Sequence, residues 1–233
     1  MKTKEAISLF QTYQRSNHRK RTIQSYLPML NQFKAQYGET EFENLGSDEV
    51  YRFLESMTQR SVRSTRRLRY AQLKAIFNFV INRCDLDMKN PCNTSLLLKA
   101  FRAPKQSPRK IFDKEAIDEI IYNTKNLRDR LLLELQARCG LRVGESLKIR
   151  VSDMSERKIV LREPKSGKEA EVAYLPEPIA KRLEEHMRTN NLVPEDRLFP
   201  VSYSKVRTMI RELGKPLKIL IRPHDLRRLL LMG

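Results

Sequence analysis

The chain has 233 residues, 32% of them charged, with a mean hydropathy of −0.58, so it can bury a sizeable core in one or two domains. No apolar run approaches the ~20 residues that cross a bilayer. The N-terminal segment turns polar again at Gln11, before a signal-peptide core forms, so a cytoplasmic protein with no membrane partner is expected. The formal net charge is +18 and the isoelectric point about 10.0, an excess that repels itself unless a polyanion neutralises it.

The N-terminal half reads as helices. Ile23, Leu27, Leu30, Phe33 and Tyr37 recur at helical spacing with Thr22 as a candidate N-cap, and Pro28 is expected to kink that helix or shift its start. Ser47-Asp48-Glu49 opens a further helix with Val50, Phe53, Leu54 and Met57 as its buried stripe. The segment from Ser61 to Lys74 follows. Its apolar face is Leu73, Ile76, Phe77 and Val80, while Arg63, Arg66, Arg67 and Lys74 fall largely on the other side. Hydroxyls and a helix N-terminus (here Ser64 and Thr65) take phosphates, and arginines read guanine edges, so Arg63, Ser64, Thr65, Arg66, Arg67 and Lys74 are candidate DNA contacts. A merely solvated charged face is the plainer alternative.

Between Asn90-Pro91 and Ile111 stand Pro91, Pro104 and Pro108 with Lys99, Arg102, Lys105, Arg109 and Lys110. Prolines break helices and cations favour phosphate or solvent, so this stretch reads as a basic interdomain linker able to run along DNA. The boundary is placed near residue 105, giving an N-terminal domain over 1–104 and a second over 105–233. Residues 1–110 hold 21 Lys and Arg against 9 Asp and Glu, so the excess is concentrated there. A generic basic nucleic-acid binder gives the same totals.

In the second half, Asp113 is a candidate N-cap ahead of Ile117, Ile120 and Ile121, and Leu127 to Cys139 is a strongly apolar helix closed by Gly140. The period then changes. Residues 158–163 and 169–175 read as two strands, joined by Pro164-Lys165-Ser166-Gly167-Lys168 as a hairpin turn. Pro176 to Asn190 and Ser202 to Gly214 are helical again. Cys84, Cys92 and Cys139 have neither an even count nor a zinc-ligand spacing, so free thiols and no metal site are expected.

Two short stretches carry chemistry. Arg142 follows the Gly140 cap and opens a short helix with Glu145 one turn on; near the end of the sequence, His224 and Arg227 stand three apart after Pro223, on one helical face. Two guanidiniums and an imidazole brought together form a site for a phosphate whose charge rises during attack, because the guanidinium fork binds phosphate oxygens bidentately and stays charged. Singly, each has a duller account, as a carboxylate partner or a helix cap.

Gly140-Leu141-Arg142-Val143-Gly144-Glu145 followed by His224-Asp225-Leu226-Arg227 resembles the two boxes of the tyrosine recombinase (phage integrase) family. The resemblance covers nearly all of the chain, although only the boxes are specific. It implies a mainly α protein: a helical core-binding domain, then an α+β integrase-type catalytic domain with a small β-hairpin or sheet. It implies that Arg142 and Arg227 grip the scissile phosphate and that His224 aids proton transfer. Lys165 would be the hairpin lysine that protonates the leaving 5′ hydroxyl, with Lys168 a weaker candidate that touches DNA, and Glu145 would orient the Arg142 region. It further implies duplex DNA as partner at a recombination site, a homo-oligomer on that DNA, strand cleavage and rejoining through a 3′-phosphotyrosyl intermediate, and no metal or nucleotide cofactor.

The family's nucleophilic tyrosine follows the His-x-x-Arg helix. All eight tyrosines here precede His224, so the chain as given is expected to lack the nucleophile, with Tyr203 the nearest substitute in sequence. A catalytically inactive DNA-binding regulator of a full-length recombinase is one rival reading, and a type IB topoisomerase-like enzyme is another.

Overall fold

The computed structural model describes residues 1–103, 112–162 and 170–228. The chain divides into two compact units, Met1–Pro108 and Arg109–Gly233.

The first unit is helical: α1 (Thr3–Asn17), α2 (Lys20–Tyr37), α3 (Ser47–Thr58), α4 (Arg63–Cys84) and α5 (Ser95–Ala100), with short 3-10 turns at Phe42–Asn44 and Pro91–Asn93. Its core is aromatic-rich, built on Phe33, Phe42, Phe53, Tyr70 and Phe77 from α2, α3, α4 and the first 3-10 turn. Phe33 meets Phe53 edge-on at 4.8 Å between ring centres, a favoured aromatic geometry.

Two local expectations are corrected here. Pro28 does not shift the start of α2, which runs from Lys20 to Tyr37 with the proline inside it. A proline inside a helix leaves the carbonyl four residues before it, here that of Gln24, without its helical N–H, and the next carbonyl, that of Ser25, is bonded from α4. Arg69 Nη1 donates to the Ser25 carbonyl at 2.7 Å and Gln72 Nε2 donates to it at 3.2 Å. The proposed linker also starts too early. Asn90 accepts from the Cys92 N–H at 2.8 Å and donates to the Lys74 carbonyl and the Asn78 side chain, which ties the Pro91 turn to α4. Tyr70 Oη donates to the Cys92 carbonyl at 2.8 Å, and Cys92, Leu97 and Phe101 are buried. Pro91 to Phe101 is therefore a packed part of the first unit; its prolines and cations misread as linker because the buried side chains are sparse between them.

The second unit comprises α6 (Lys114–Asn123), α7 (Leu127–Ala137), α8 (Val143–Ser146), β1 (Met154–Ser155), β2 (Lys158–Arg162), β3 (Ala170–Tyr174), α9 (Glu177–Thr189), α10 (Tyr203–Gly214) and α11 (Pro223–Arg228). The strands form an antiparallel sheet in the order β1-β2-β3, with Val160 opposite Val172 and Lys158 opposite Tyr174. The sequence pattern missed β1, which is too short to show a period. The core gathers Leu131, Leu132 and Leu135 of α7, Ile159 of β2, Leu183 of α9 and Leu226 of α11. The fold is mainly helical with a small sheet, as expected. Among the described residues no helix is long and apolar enough to cross a membrane.

Candidate DNA phosphate site

Helix α7 is held on two sides before it delivers the chain to the site. The Glu134 carboxylate is buried, accepts from Arg182 Nε and Nη2 at 3.1 and 2.8 Å, and takes Arg130 Nε at 3.3 Å. A buried carboxylate is tolerable only when paired in this way. One turn on, Arg138, the C-cap of α7, is ion-paired to Asp118 of α6. Gly140 then turns the chain with φ 66°, in the left-handed region that favours glycine. The buried flanks Leu141 and Val143 fix the backbone of Arg142 between them.

Arg142 is the N-cap of α8, and Glu145 binds it twice: the carboxylate accepts from the Arg142 backbone N–H at 2.8 Å and from Nη1 at 2.6 Å. The acidic residue in the first turn also suits the positive helix end. Arg142 keeps 39% of its side-chain surface exposed while Glu145 keeps 14%, so the carboxylate sits behind the guanidinium and leaves it facing outward.

Helix α11 packs on α7 through the fully buried Leu226. Asp225 accepts from the Arg222 N–H at 3.0 Å and pairs with Arg228 at 3.5 Å, so the local carboxylate is already engaged. Arg227 is half-buried and, among the described residues, has no hydrogen-bond or ion-pair partner.

Arg142 and Arg227 line one cleft of about 310 Å³, together with Cys139, Gly140, Leu141, Glu145, Leu161 and the β3 residues Glu171 to Tyr174. His224 lies one turn before Arg227 on α11, is exposed, and is not among the lining residues. Lys105, Lys165 and Lys168 lie outside the described residues. Burial, reinforced by the Glu134 carboxylate, pushes the Cys139 thiol up to about 12, so the cleft wall carries a neutral sulfur. Among the described residues no group of three His, Cys, Asp or Glu side chains is placed to hold a metal ion.

The arginines of α4 are not one uniform row. Arg63 and Ser64 are exposed, Thr65 and Lys74 are half-buried, and Arg67 lies over the Tyr70 ring at 5.1 Å. Arg66 departs from the expected uncompensated row: it pairs with Glu55 at 2.6 Å and lies over the Phe101 ring at 5.2 Å. Glu55 is eleven positions upstream on another helix, out of reach of any spacing argument.

Sequence reasoning passed over α10. Val206 and Ile210 point inward, while Lys205, Arg207 and Arg211 are exposed on the outside. Arg211 is partnered by Glu212, whereas Arg207 has no anionic partner among the described residues. That amphipathic pattern was visible in the sequence, but the helix carries no motif to draw attention to it. The structure also brings Tyr174, not Tyr203, to the cleft.

The fold and the cleft define a mainly helical protein with an arginine-lined cleft beside a three-stranded sheet. A model of the phage integrase family matches residues 110–232, and the chain belongs to that family. Tyrosine recombinase XerA of Pyrococcus furiosus is 28% identical over 240 residues, covering 96% of this chain and 77% of that protein. The match to XerA of Saccharolobus solfataricus is 28% over 120 residues, covering 51% of this chain and 40% of that protein. A tyrosine recombinase of Pseudothermotoga lettingae matches at 28% over 167 residues, 67% of this chain and 56% of the relative. The chain thus spans about half the length of these last two relatives. A lambda integrase dimer bound to a COC′ core site superposes with a TM-score of 0.72 at 16% identity, over all of this chain and 89% of that one. The Tn1549 transposon integrase in complex with transposon right end DNA gives 0.74 at 14%, over 99% and 85%. At these identities the structures share the fold.

Proposed function

We propose that the chain binds duplex DNA and that the cleft between Arg142 and Arg227 grips a backbone phosphate for site-specific strand cleavage and rejoining. One observation carries this reading: two arginines from boxes far apart in sequence line a single cleft, and one of them has no anionic partner among the described residues. A guanidinium held ready for charge, in a partly water-excluded cleft, stabilises a phosphate more as its charge rises during attack. Glu145 keeps the Arg142 fork oriented, which lowers the reorganisation needed when phosphate arrives.

In this reading His224, exposed on the same helix as Arg227, donates a hydrogen bond to a phosphoryl oxygen and assists proton transfer once DNA covers it. Lys165 delivers the proton to the departing 5′ oxygen. In the full reaction a tyrosine oxygen attacks phosphorus, the P–O5′ bond breaks, and the 3′-phosphotyrosyl link stores the bond energy for rejoining. No metal or nucleotide takes part. The first unit, with Arg63, Ser64, Thr65, Arg67 and Lys74 on α4, acts as the core-binding domain, and Arg66 supports that face from within. Lys105, Lys168 and the exposed Lys205 and Arg207 of α10 add phosphate contacts. The lambda integrase dimer bound to a COC′ core site and tetramer bound to a Holliday junction support assembly of several copies on DNA.

The test is a nicked suicide duplex carrying the recombination site, incubated with the full-length gene product and run on a denaturing gel. A protease-sensitive protein–DNA adduct that vanishes in Arg142→Ala and in Arg227→Ala is expected. An adduct that persists in both variants overturns the assignment of the cleft.

A further inference from the structure

The outward face of the β2–β3 pair is unusual for a solvent-facing sheet. The register sets Lys158 opposite Tyr174 and Val160 opposite Val172, so these four side chains share one face. Tyr174 is 69% exposed, Val172 50% and Val160 38%. An antiparallel pair packed on one side normally turns polar residues to water on the other. Here the pattern is a short apolar strip ending in an aromatic ring.

Two features say what kind of group completes that strip. Cations bracket it: the Lys158 ammonium lies over the Tyr174 ring at 5.9 Å, and Arg162, two residues beyond Val160, has 68% of its side chain exposed while its Nε pairs with the Asp153 carboxylate at 2.6 Å. The strip also borders the cleft, because Val172 and Tyr174 are among the residues that line it with Arg142 and Arg227. A flat apolar surface flanked by cations and joined to paired guanidiniums matches one chemical unit, a nucleotide with its base face free. Intact duplex cannot supply that group, since its bases present only edges in the grooves and their faces are stacked on each other. An unpaired base supplies it, because every base has a π-face and stacks on an exposed aromatic irrespective of sequence.

We infer that Tyr174, with Val160 and Val172, is a stacking platform for an unpaired nucleobase adjoining the phosphate held by Arg142 and Arg227. This inference rests on the DNA reading proposed above. It gives the chain a preference for DNA that is open next to the gripped phosphate, so that a base freed there is held on the protein instead of returning at once to its own helix. Lys158 strengthens the site by pairing its charge with the ring and the approaching backbone.

The experiment is fluorescence anisotropy with the 233-residue chain and two labelled DNAs of equal length, one a continuous duplex and one with a short central single-stranded gap. Wild type and Tyr174→Phe are expected to bind the gapped DNA about ten-fold more tightly, within the range that one base–aromatic stack contributes. Tyr174→Leu, which keeps an apolar side chain but loses the flat ring, is expected to bind the two DNAs equally. Duplex binding without any preference in wild type overturns the platform and leaves the phosphate cleft standing, and so does a preference retained in Tyr174→Leu. Absence of binding to both DNAs overturns the DNA reading and the platform with it.

Discussion

Arg142 and Arg227 line the same cleft, one guanidinium paired with a carboxylate and the other without an anionic partner among the described residues. The Arg142 guanidinium rests on the Glu145 carboxylate at 2.6 Å, while Arg227 has no anionic partner among the described residues. The first arginine is oriented by its neighbour; the second is held by packing, through Leu226 beneath it. On the proposed reading, a phosphate in the cleft would meet one paired guanidinium and one without an anionic partner among the described residues.

Replacing Glu145 changes that balance in a predictable direction. In Glu145→Gln the side-chain amide still accepts from the Arg142 N–H, but the negative charge behind the guanidinium is gone. Non-specific duplex affinity at low salt is expected to rise about two- to five-fold, the scale of one partly exposed ion pair. Strand cleavage by the full-length gene product is expected to fall, because the Arg142 fork loses its fixed orientation. A titration and a cleavage time course on the same preparation check both.

Arg66 and Arg63 should separate stability from binding. Arg66→Ala removes the Glu55 pair and the contact with the Phe101 ring, and is expected to lower stability by about 1–2 kcal/mol in urea denaturation. Arg63→Ala, at an exposed position, is expected to leave the urea midpoint unchanged and to weaken duplex binding with a shallower salt dependence.

Much of this was legible in the sequence, and the losses have physical causes. Gly140 announced the end of α7 because a left-handed cap favours glycine, and the change of period located β2 and β3 to within a residue at each end. The two boxes pointed to Arg142 and Arg227, and the family resemblance implied that both grip one phosphate; what the residues alone could not supply is the docking of α11 on α7, with Leu226 buried, that brings them to one cleft. Arg66 read as a free cation because its partner is on a different helix. Pro28 read as a kink or a shifted start, and nothing local showed that Arg69 and Gln72, more than forty positions away, bond the neighbouring Ser25 carbonyl. Tyr174 was invisible as a cleft residue, since an alternating strand pattern does not say which outward residue borders a site.

The cleft thiol gives a prediction with a definite sign. Burial raises Cys139 from an ordinary value of 9.0 to about 12, and Cys92 likewise. Both thiols bind their protons more tightly in the folded state, so stability is fully present below pH ~9 and declines as pH rises from there toward about 12. At pH ~8 native Cys92 and Cys139 are expected to resist iodoacetamide, because the thiolate is the reactive form. Peptide mass spectrometry over a labelling time course should find Cys84 modified first, with Cys139, which is likewise half-exposed, held back by its raised thiol pKa. Rapid native labelling of Cys139 would show that its thiol is not held neutral.

The claim that Arg227 and Arg142 form a phosphate grip is tested most directly by the salt dependence of duplex binding in Arg227→Ala. The side chain has no partner among the described residues, so its removal leaves the fold intact, which the urea midpoint verifies. If the cleft holds a backbone phosphate, the variant binds more weakly at every salt concentration, and the slope of log K against log salt becomes shallower by about one unit, as for one lost phosphate contact. An affinity and slope identical to wild type, in a variant with an unchanged urea midpoint, would contradict the account.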